Sequence, residues 1–262
     1  MGQRLGQHFL KTPWAARALA QAVGIGAKDT VLEIGPGKGA LTRELLKTGA
    51  RVVAIEKDEI LADFLREKFA VEIASGLLTM VPGDIRDISP EELDLKDGTY
   101  VVAANIPYYI TGEIIRQFLT TRAKPRAMAL LVQKEVAQRI VSKRESLLSL
   151  SVKAYGMPRV AAKVSRKNFS PPPAVDSAIL VIESISTDFF KDLSEERFFK
   201  TIRAGFAQKR KFLVNNLAMQ FRKSEMLEAF RACNVDNMVR AENVPLETWK
   251  CLVRATEKIP SL

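Results

Sequence analysis

The residue types best suited to chemistry stand in one short segment, Asn105-Ile106-Pro107-Tyr108, which follows an apolar run. The Asn105 side chain and the Ile106 carbonyl offer two acceptors, and acceptors on both N–H bonds of a base amine favour a pyramidal, nucleophilic nitrogen. Pro107 stiffens the backbone, and Tyr108 can stack on an unpaired base, which is worth about 1 to 3 kcal/mol. Taken alone, such a segment is a turn in most proteins, so its meaning depends on what precedes it.

A glycine-rich loop, Gly35-Pro36-Gly37-Lys38-Gly39, lies between an earlier apolar run and a helical pattern. Glycine there lets a ligand approach the backbone at the start of a helix. Such loops bind dinucleotides and S-adenosylmethionine alike, and a tight turn without a ligand is the alternative. About twenty residues later, Glu56 can accept both hydroxyls of a ribose. Asp84, after the next run, can accept from an adenine amine or can simply cap the following turn.

Read together, the glycine loop, Glu56, Asp84 and the Asn105 segment predict methyl transfer to a base amine. The sulfonium of S-adenosylmethionine is a good leaving group, so in-line positioning supplies much of the catalysis and no strong base is required. A nicotinamide-dependent oxidoreductase would share the loop and Glu56. It would leave the Asn105 segment and the basic surplus of the chain unexplained.

Short β-branched runs alternate with helical patterns from residue 29 onward, as βαβ units do. The runs are TVLEIG, RVVAIE, LLTMVPGD, YVVAAN and AMALLVQ, followed by a late strand, AILVIESI. This pattern predicts a Rossmann-like α/β fold with a parallel sheet covered by helices. Beyond residues 184–188 only helical spacing remains. We therefore predict a methyltransferase domain over 1–185, with an N-terminal substrate and cofactor arm, and a small helical RNA-binding domain over 186–262.

The chain has 262 residues and a formal net charge of +10. The segment from Arg116 to Lys167 holds 13 basic residues and two acidic ones, a net +11, so the remainder nets −1. Further basic residues are Arg4, Lys11 and Arg17 near the N-terminus and the triplet Lys209-Arg210-Lys211. A solvated basic face is the alternative, but this concentration favours a polyanion such as RNA.

Hydrophobic residues make up 47% of the chain, which excludes a disordered class. The sequence has no apolar run of 18 residues and no secretory signal, so we expect a soluble, cytoplasmic protein without a membrane partner. One histidine and two cysteines, Cys233 and Cys251, cannot form a Cys/His zinc cluster. We expect no metal, and both cysteines as reduced thiols.

Several longer motifs resemble those of one family. They are QHFL at 7–10, EIGPGKGALT at 33–42, AIEKD at 54–58, GDI at 83–85, NIPYYIT at 105–111, QKEV at 133–136, NFSPPP at 168–173, VDS at 175–177 and RAENV at 240–244. Together they cover nearly the whole chain and resemble the ribosomal RNA adenine dimethylase family. The NFSPPP and RAEN segments are typical of its small-subunit branch, which dimethylates two adjacent adenosines near the 3′ end of 16S rRNA.

The resemblance implies roles residue by residue. S-adenosyl-L-methionine would be bound by His8, Leu10, Gly35, Gly37, Glu56, Asp84 and Asn105. The target adenosine would enter at Asn105, Ile106, Pro107 and Tyr108, with Phe169 as a second stacking surface. In the family, asparagine usually stands at the position of His8 and often at that of Tyr109. An imidazole can also donate a hydrogen bond.

The implied partner is 16S rRNA in a pre-30S particle, and we expect a monomer. Two readings remain open beside this one. The macrolide-resistance methylases, which act on 23S rRNA, share the N-x-P-Y core. An assembly factor could keep the same fold without needing catalysis.

Overall fold

The computed structural model describes residues 8–256; Arg4 and Gln7, named above, lie outside them. The described chain forms two compact units. The first contains the residues up to Gln138 together with Gly156–Ser186, and the second contains Arg139–Tyr155 with the residues from Thr187 onward. The predicted boundary at 185/186 thus left residues 139–155 in the first domain. They belong to the helical unit because Leu150 and Ala154 are part of its core.

The described residues form nine strands and eleven α-helices. The strands are β1 (Phe9–Leu10), β2 (Thr30–Ile34), β3 (Arg51–Glu56), β4 (Leu78–Pro82), β5 (Tyr100–Asn105), β6 (Ala127–Gln133), β7 (Met157–Val164), β8 (Phe169–Ser170) and β9 (Ser177–Glu183). The helices are α1 (Pro13–Gln21), α2 (Ala40–Leu46), α3 (Glu59–Lys68), α4 (Ala70–Ala74), α5 (Thr111–Thr120), α6 (Lys134–Val141), α7 (Leu147–Tyr155), α8 (Glu195–Gly205), α9 (Leu213–Leu217), α10 (Lys223–Ala232) and α11 (Leu246–Thr256).

Seven strands of the first unit form one sheet in the order β4-β3-β2-β5-β6-β9-β7. The five strands from β4 to β6 are parallel, as the alternating pattern predicts. The other two strands were not predicted to differ, but β9 inserts between β6 and β7 and runs antiparallel to both. No α-helix separates β7 from β9, so the chain returns in the opposite direction rather than crossing over the sheet.

The central strands are buried on both faces, and this accounts for their unbroken apolar sequences. Parallel strands end at one edge of a sheet. The glycine loop after β2, Glu56 at the end of β3, Asp84 after β4 and Asn105 at the end of β5 therefore share that edge. The sheet positions the predicted site as the order of motifs requires.

The second unit has its own core, built around the buried side chains of Phe198, Phe230 and Trp249. The expectation of two reduced thiols is wrong: Cys233, just after α10, and Cys251, on α11, form a disulfide. Their Cα atoms are 5.9 Å apart, within the range that a disulfide spans. No helix within residues 8–256 is long and apolar enough to cross a membrane.

Candidate active site

A cavity of about 390 Å³ opens in the first unit at the edge where the parallel strands end. Ten of the eleven residues predicted for the site line it: His8, Leu10, Gly35, Gly37, Glu56, Asp84, Asn105, Ile106, Pro107 and Tyr108. Phe169 does not line this cavity. Groups far apart in the chain, from the N-terminal arm to the end of β5, are thus brought to one concave surface.

The glycine loop forms the wall next to β2, and its conformation needs glycine. Gly37 has a φ of +58°, and a Cβ built there would lie 2.9 Å from two ring carbons of Phe9. At Gly39, with a φ of +75°, a Cβ would lie 2.6 Å from the Phe69 ring. Side chains at these positions would meet both strain and a clash, so the backbone itself faces the cavity.

Glu56 joins the glycine loop to the start of α3. One carboxylate oxygen, Oε2, accepts from the Gly37 backbone N–H at 2.9 Å, and Oε1 accepts from that of Asp58 at 3.0 Å. The side chain is only 5% exposed. A carboxylate has about four lone-pair sites, so Glu56 can hold these two loops and still accept from ribose hydroxyls.

Asp84 lies at the same edge and is enclosed by cations. Its oxygens accept from Arg86 Nη2 at 2.6 Å and from Lys57 Nζ at 2.8 Å. It also accepts from the Arg86 backbone N–H, as a cap of the turn that follows. The Arg86 guanidinium, helped by Lys57, holds the pKa of Asp84 well below its usual range. The capping role considered from the sequence is therefore present, and the adenine contact stays a prediction.

Asn105 lies at the end of β5 with one side of its amide anchored. Nδ2 donates to the backbone carbonyl of His8 at 2.9 Å. This bond fixes the amide so that Oδ1 is the remaining acceptor, and no residue within 8–256 donates a hydrogen bond to it. The next residue, Ile106, also lines the cavity. The two residues that the sequence predicts as acceptors thus both line the cavity, and the contact of the Ile106 carbonyl with an amine stays a prediction.

Tyr108 is half-buried, and its hydroxyl is anchored. It shares a hydrogen bond of 2.7 Å with Oγ of the buried Ser177, at the start of β9. Burial raises the pKa of the Tyr108 phenol. The His8 ring lies 6.0 Å away, and its Nδ1 bonds to the Pro171 carbonyl at 2.8 Å. Sequence reasoning missed Ser177, although it is the last residue of the VDS motif.

Phe169 occupies a different place from the one predicted for a stacking surface. It is 1% exposed and belongs to the core of the first unit. The cause is the short antiparallel pairing of β1 with β8, which sets Phe169 opposite Leu10. In this structure Phe169 is a core residue, and its role as a stacking surface stays a prediction.

Glu33 is a cavity residue that the sequence analysis quoted in a motif but did not select. It is 1% exposed, and neither carboxylate oxygen has a hydrogen-bond partner within the described chain. Burial, with Glu56 nearby, raises its pKa to about 8. The sequence feature that could have identified it is a single acidic residue inside the apolar strand TVLEI. A buried carboxylate costs free energy unless it is paired or protonated, so its presence in a buried strand is unusual.

No group of three or more histidine, cysteine, aspartate or glutamate side chains in the described part of the chain could hold a metal ion. The cavity itself is lined by hydrogen-bond acceptors, by the cations Lys38, Lys57 and Arg86, and by the rings of His8, Phe9, Tyr108 and Tyr109. This set matches positioning of a nucleophilic amine better than it matches proton abstraction.

The fold defines the class of protein. The crystal structure of a dimethyladenosine transferase from Plasmodium falciparum has a TM-score of 0.81 at 24% identity, covering 96% of this chain and 98% of that one. The crystal structure of the 23S rRNA methyltransferase ErmE has a TM-score of 0.78 at 24% identity, covering 95% and 100%. The first unit thus has a Rossmann-like methyltransferase fold.

Residues 2–258 match the family described as ribosomal RNA adenine dimethylase. Two relatives are both called ribosomal RNA small subunit methyltransferase A. That of Dehalococcoides mccartyi strain CBDB1 is 43% identical over 252 residues, covering 95% of this chain and 86% of the relative. That of Moorella thermoacetica is 35% identical over 265 residues, covering 96% and 91%. The chain belongs to the ribosomal RNA adenine dimethylase family, so the resemblance of its motifs is confirmed.

Proposed function

We propose that this protein transfers methyl groups from S-adenosylmethionine to the N6 amines of two adjacent adenosines near the 3′ end of 16S rRNA. Membership of the family supports an adenine of ribosomal RNA as the target. The small subunit is favoured because relatives at 35 to 43% identity carry that subunit in their names. The observation that carries the proposal is the anchored Asn105 amide, whose Nδ2 is held by the His8 carbonyl and whose Oδ1 is left as an acceptor at the cavity.

The residues of the cavity fit S-adenosylmethionine. The Gly37 backbone lines the cavity, and Glu56 retains acceptor capacity for ribose hydroxyls. Buried Glu33 lines the same cavity, and a cationic group bound beside it, such as an ammonium, would favour its ionised form. When bound, S-adenosylmethionine supplies an electrophilic methyl group on a sulfonium.

The protein's own groups would then position the target. Oδ1 of Asn105 and the carbonyl of Ile106 accept the two N–H bonds of the adenine amine and turn its lone pair toward the methyl group. Tyr108, held by Ser177, stacks on the base. The amine loses its proton to solvent after charge has moved onto it, so no side-chain base is needed. Phe169 would have to leave its buried position to add a second stacking surface.

The basic surplus suits the rest of the RNA. Exposed side chains of the segment from Arg116 to Lys167 and of Lys209 to Lys211 would contact phosphates, which position the RNA without reading its sequence. RNA shape would select the site. The proposal implies a monomer acting on a pre-30S particle in the cytoplasm, where small subunits are assembled.

The test is methyl incorporation into small subunits prepared from cells that lack this activity. We expect the wild-type protein to form dimethyladenosine near the 3′ end of 16S rRNA, located by mass spectrometry. Asn105→Ala should lose nearly all incorporation, whereas Asn237→Ala, an exposed asparagine of the helical unit, should not. Equal rates for Asn105→Ala would refute its role, and modification of 23S rRNA would refute the substrate. An Asn105→Ala protein that still binds the particles would separate an assembly role from catalysis.

A further inference from the structure

A second cavity, of about 480 Å³, lies wholly within the helical unit. It shares no residue with the cavity of the first unit. Some of its rim cations belong to the basic segments assigned to RNA phosphates above, but the cavity itself has no role there. Its lining residues are Arg139, Ser142, Arg144, Glu145, Ser146, Leu147, Leu148, Phe206, Gln208, Lys209, Lys211, Asn216, Ala241 and Glu242. Its volume is in the range of cavities that bind small molecules.

The charges around this cavity leave a surplus of cations. Arg144 forms a salt bridge with Glu242, and Glu145 is paired with Lys153 at 2.7 Å. Both lining carboxylates are thus already neutralised. The other three lining cations, Arg139, Lys209 and Lys211, are exposed, and their charged side-chain groups make no hydrogen bond or salt bridge with any residue between 8 and 256. Such a rim favours an anion such as a phosphate.

The wall behind the rim is apolar and partly aromatic. Leu147, Leu148 and Phe206 contribute to it, and all three keep some exposure. The Phe206 ring is stacked on the buried Trp249 ring, with centroids 5.9 Å apart and planes 22° apart. The stacking supports the ring from behind. A planar, uncharged group would cover this wall better than water does.

One lining residue has an acceptor without a partner. Asn216 is 1% exposed, and its Nδ2 donates to the carbonyls of Gly205 at 2.7 Å and Gln208 at 3.1 Å. Its Oδ1 is buried and accepts no hydrogen bond within the described chain. A buried acceptor in this state costs free energy unless a ligand supplies a donor. The N–H groups of a nucleobase are donors of this kind.

We propose that this cavity binds one unstacked nucleotide of the RNA substrate, other than the adenosine that is methylated. Arg139, Lys209 and Lys211 would hold its phosphate, and the base would cover the apolar wall with an N–H directed to Asn216. This inference rests on the proposed function, because it takes ribosomal RNA as the ligand. An acidic peptide fits less well, since its carboxylate side chains offer no flat ring to cover the apolar wall next to Phe206.

The fluorescence of Trp249, whose ring is stacked on Phe206 of the cavity wall, can report binding. The only other tryptophan is Trp14, an exposed residue of the first unit. In a Trp14→Phe protein saturated with S-adenosylhomocysteine, we expect at least one nucleoside monophosphate to change Trp249 emission saturably, and inorganic phosphate not to. Leu148→Tyr, which fills the cavity, should weaken this binding by about tenfold, the loss of one stacked base. Met238→Tyr, at an exposed methionine of the same unit, is the matched control and should not.

The second arm uses small subunits as substrate. Leu148→Tyr and Lys209→Gln should each raise the KM for small subunits while leaving kcat and the KM for S-adenosylmethionine unchanged. Lys209 is exposed, so its substitution is informative even if Leu148→Tyr folds poorly. Arg210, in the same basic triplet, is also exposed but does not line the cavity, so Arg210→Gln is the control and should raise the KM less than Lys209→Gln. No saturable response to any of the four nucleoside monophosphates would overturn the inference. A response only to an acidic peptide, or nucleotide binding with no change in KM, would overturn it too. If the wild-type protein methylates no ribosomal RNA, the proposed function fails instead, whatever the titration gives.

Discussion

The two walls of the first cavity use their polar groups in different ways. On the wall after β3 and β4, the Glu56 and Asp84 carboxylates already accept hydrogen bonds from neighbouring loops. On the wall after β5, Asn105 uses only its Nδ2 for the protein and keeps Oδ1 for a ligand. The first wall therefore combines binding with stability, whereas the second is reserved for the reacting amine. Substitutions on the first wall should therefore lower the affinity for S-adenosylmethionine, and substitutions on the second should lower kcat.

The largest effect is expected at Asn105. Asn105→Ala removes an acceptor that acts on the developing charge, and the loss of one such group costs about 10²- to 10³-fold in kcat. Affinity for S-adenosylmethionine should fall much less, because the glycine loop and Glu56 remain. Single-turnover methyl transfer and calorimetric titration measure the two quantities. If Asn105→Ala lost affinity for S-adenosylmethionine and kept kcat, the proposed distinction between the two walls would be wrong.

Glu56→Gln should lower the affinity for S-adenosylmethionine and leave kcat nearly unchanged, the opposite of Asn105→Ala. Its amide NH₂ cannot accept from a backbone N–H, so one bond to Gly37 or Asp58 is lost together with a charged acceptor for ribose. Hydrogen bonds to charged groups contribute about 1.5 to 3 kcal/mol. Affinity for S-adenosylmethionine should therefore fall by about 10- to 100-fold, with a lower melting temperature and a nearly unchanged kcat at saturation. Calorimetry on wild type and variant, with Glu67→Gln as an exposed control, measures the loss.

Glu33, a third carboxylate of the cavity, should make the stability of the protein depend on pH. The ordinary pKa of a glutamate is 4.5, and burial raises that of Glu33 to about 8. Between these values the folded protein holds a proton that the unfolded chain has released. The stability contributed by this proton is complete below pH 4.5, falls by about 1.4 kcal/mol per pH unit as pH rises, and is lost above about pH 8.

Glu33→Gln cannot titrate and should abolish this contribution. We expect wild type to lose stability relative to Glu33→Gln between pH 5 and pH 8, measured as the free energy of unfolding in urea. Glu67→Gln should follow the wild-type pH dependence. Parallel curves for wild type and Glu33→Gln would mean that Glu33 is ionised throughout this range, and the cavity would then need a resident cation.

The smallest effect is expected at the anchor of the stacking ring. Tyr108→Phe keeps the ring and removes the hydrogen bond to Ser177, which is worth about 1 kcal/mol. We expect kcat/KM for small subunits to fall by no more than about fivefold. Ser177→Ala should match it, and the double variant should be little worse than either alone. Additive losses would show that the two hydroxyls act independently.

Local patterns were enough to predict the sheet edge and the residues on it. The runs ending near residues 34, 56 and 105 are apolar because their strands are buried on both faces, whereas the run ending near 82 forms an edge strand that is only partly buried. The residues that break each run mark the strand ends. Strand β7 was missed because Pro158 and the Ala161-Ala162 pair weaken a strand signal, and its side chains alternate between exposed and half-buried.

Contacts between distant parts of the chain could not be read from local patterns. The partner of Tyr108 is Ser177, and the carbonyl that anchors Asn105 belongs to His8. The burial of the Phe169 ring could not be predicted either, because it follows from the pairing of Phe169 opposite Leu10, which is distant in the chain. Cys233 and Cys251 are joined for a reason that lies in the packing of two helices and not in their spacing. Residue types were thus more predictable than partners.

The pairing of β1 with β8 has a consequence for the order in which the first unit folds during synthesis. His8 and Pro171 are joined although they are 163 positions apart in the chain, and contacts between distant positions form late in folding. During synthesis the glycine loop and strands β2 to β5 emerge long before residues 169–171, which hold the arm carrying the His8 carbonyl. A nascent chain can thus bring β2 to β5 together before the Asn105 amide is anchored to His8. The site is complete only once residues 169–171 have been made, and β9, the last strand of the sheet, follows them in the chain.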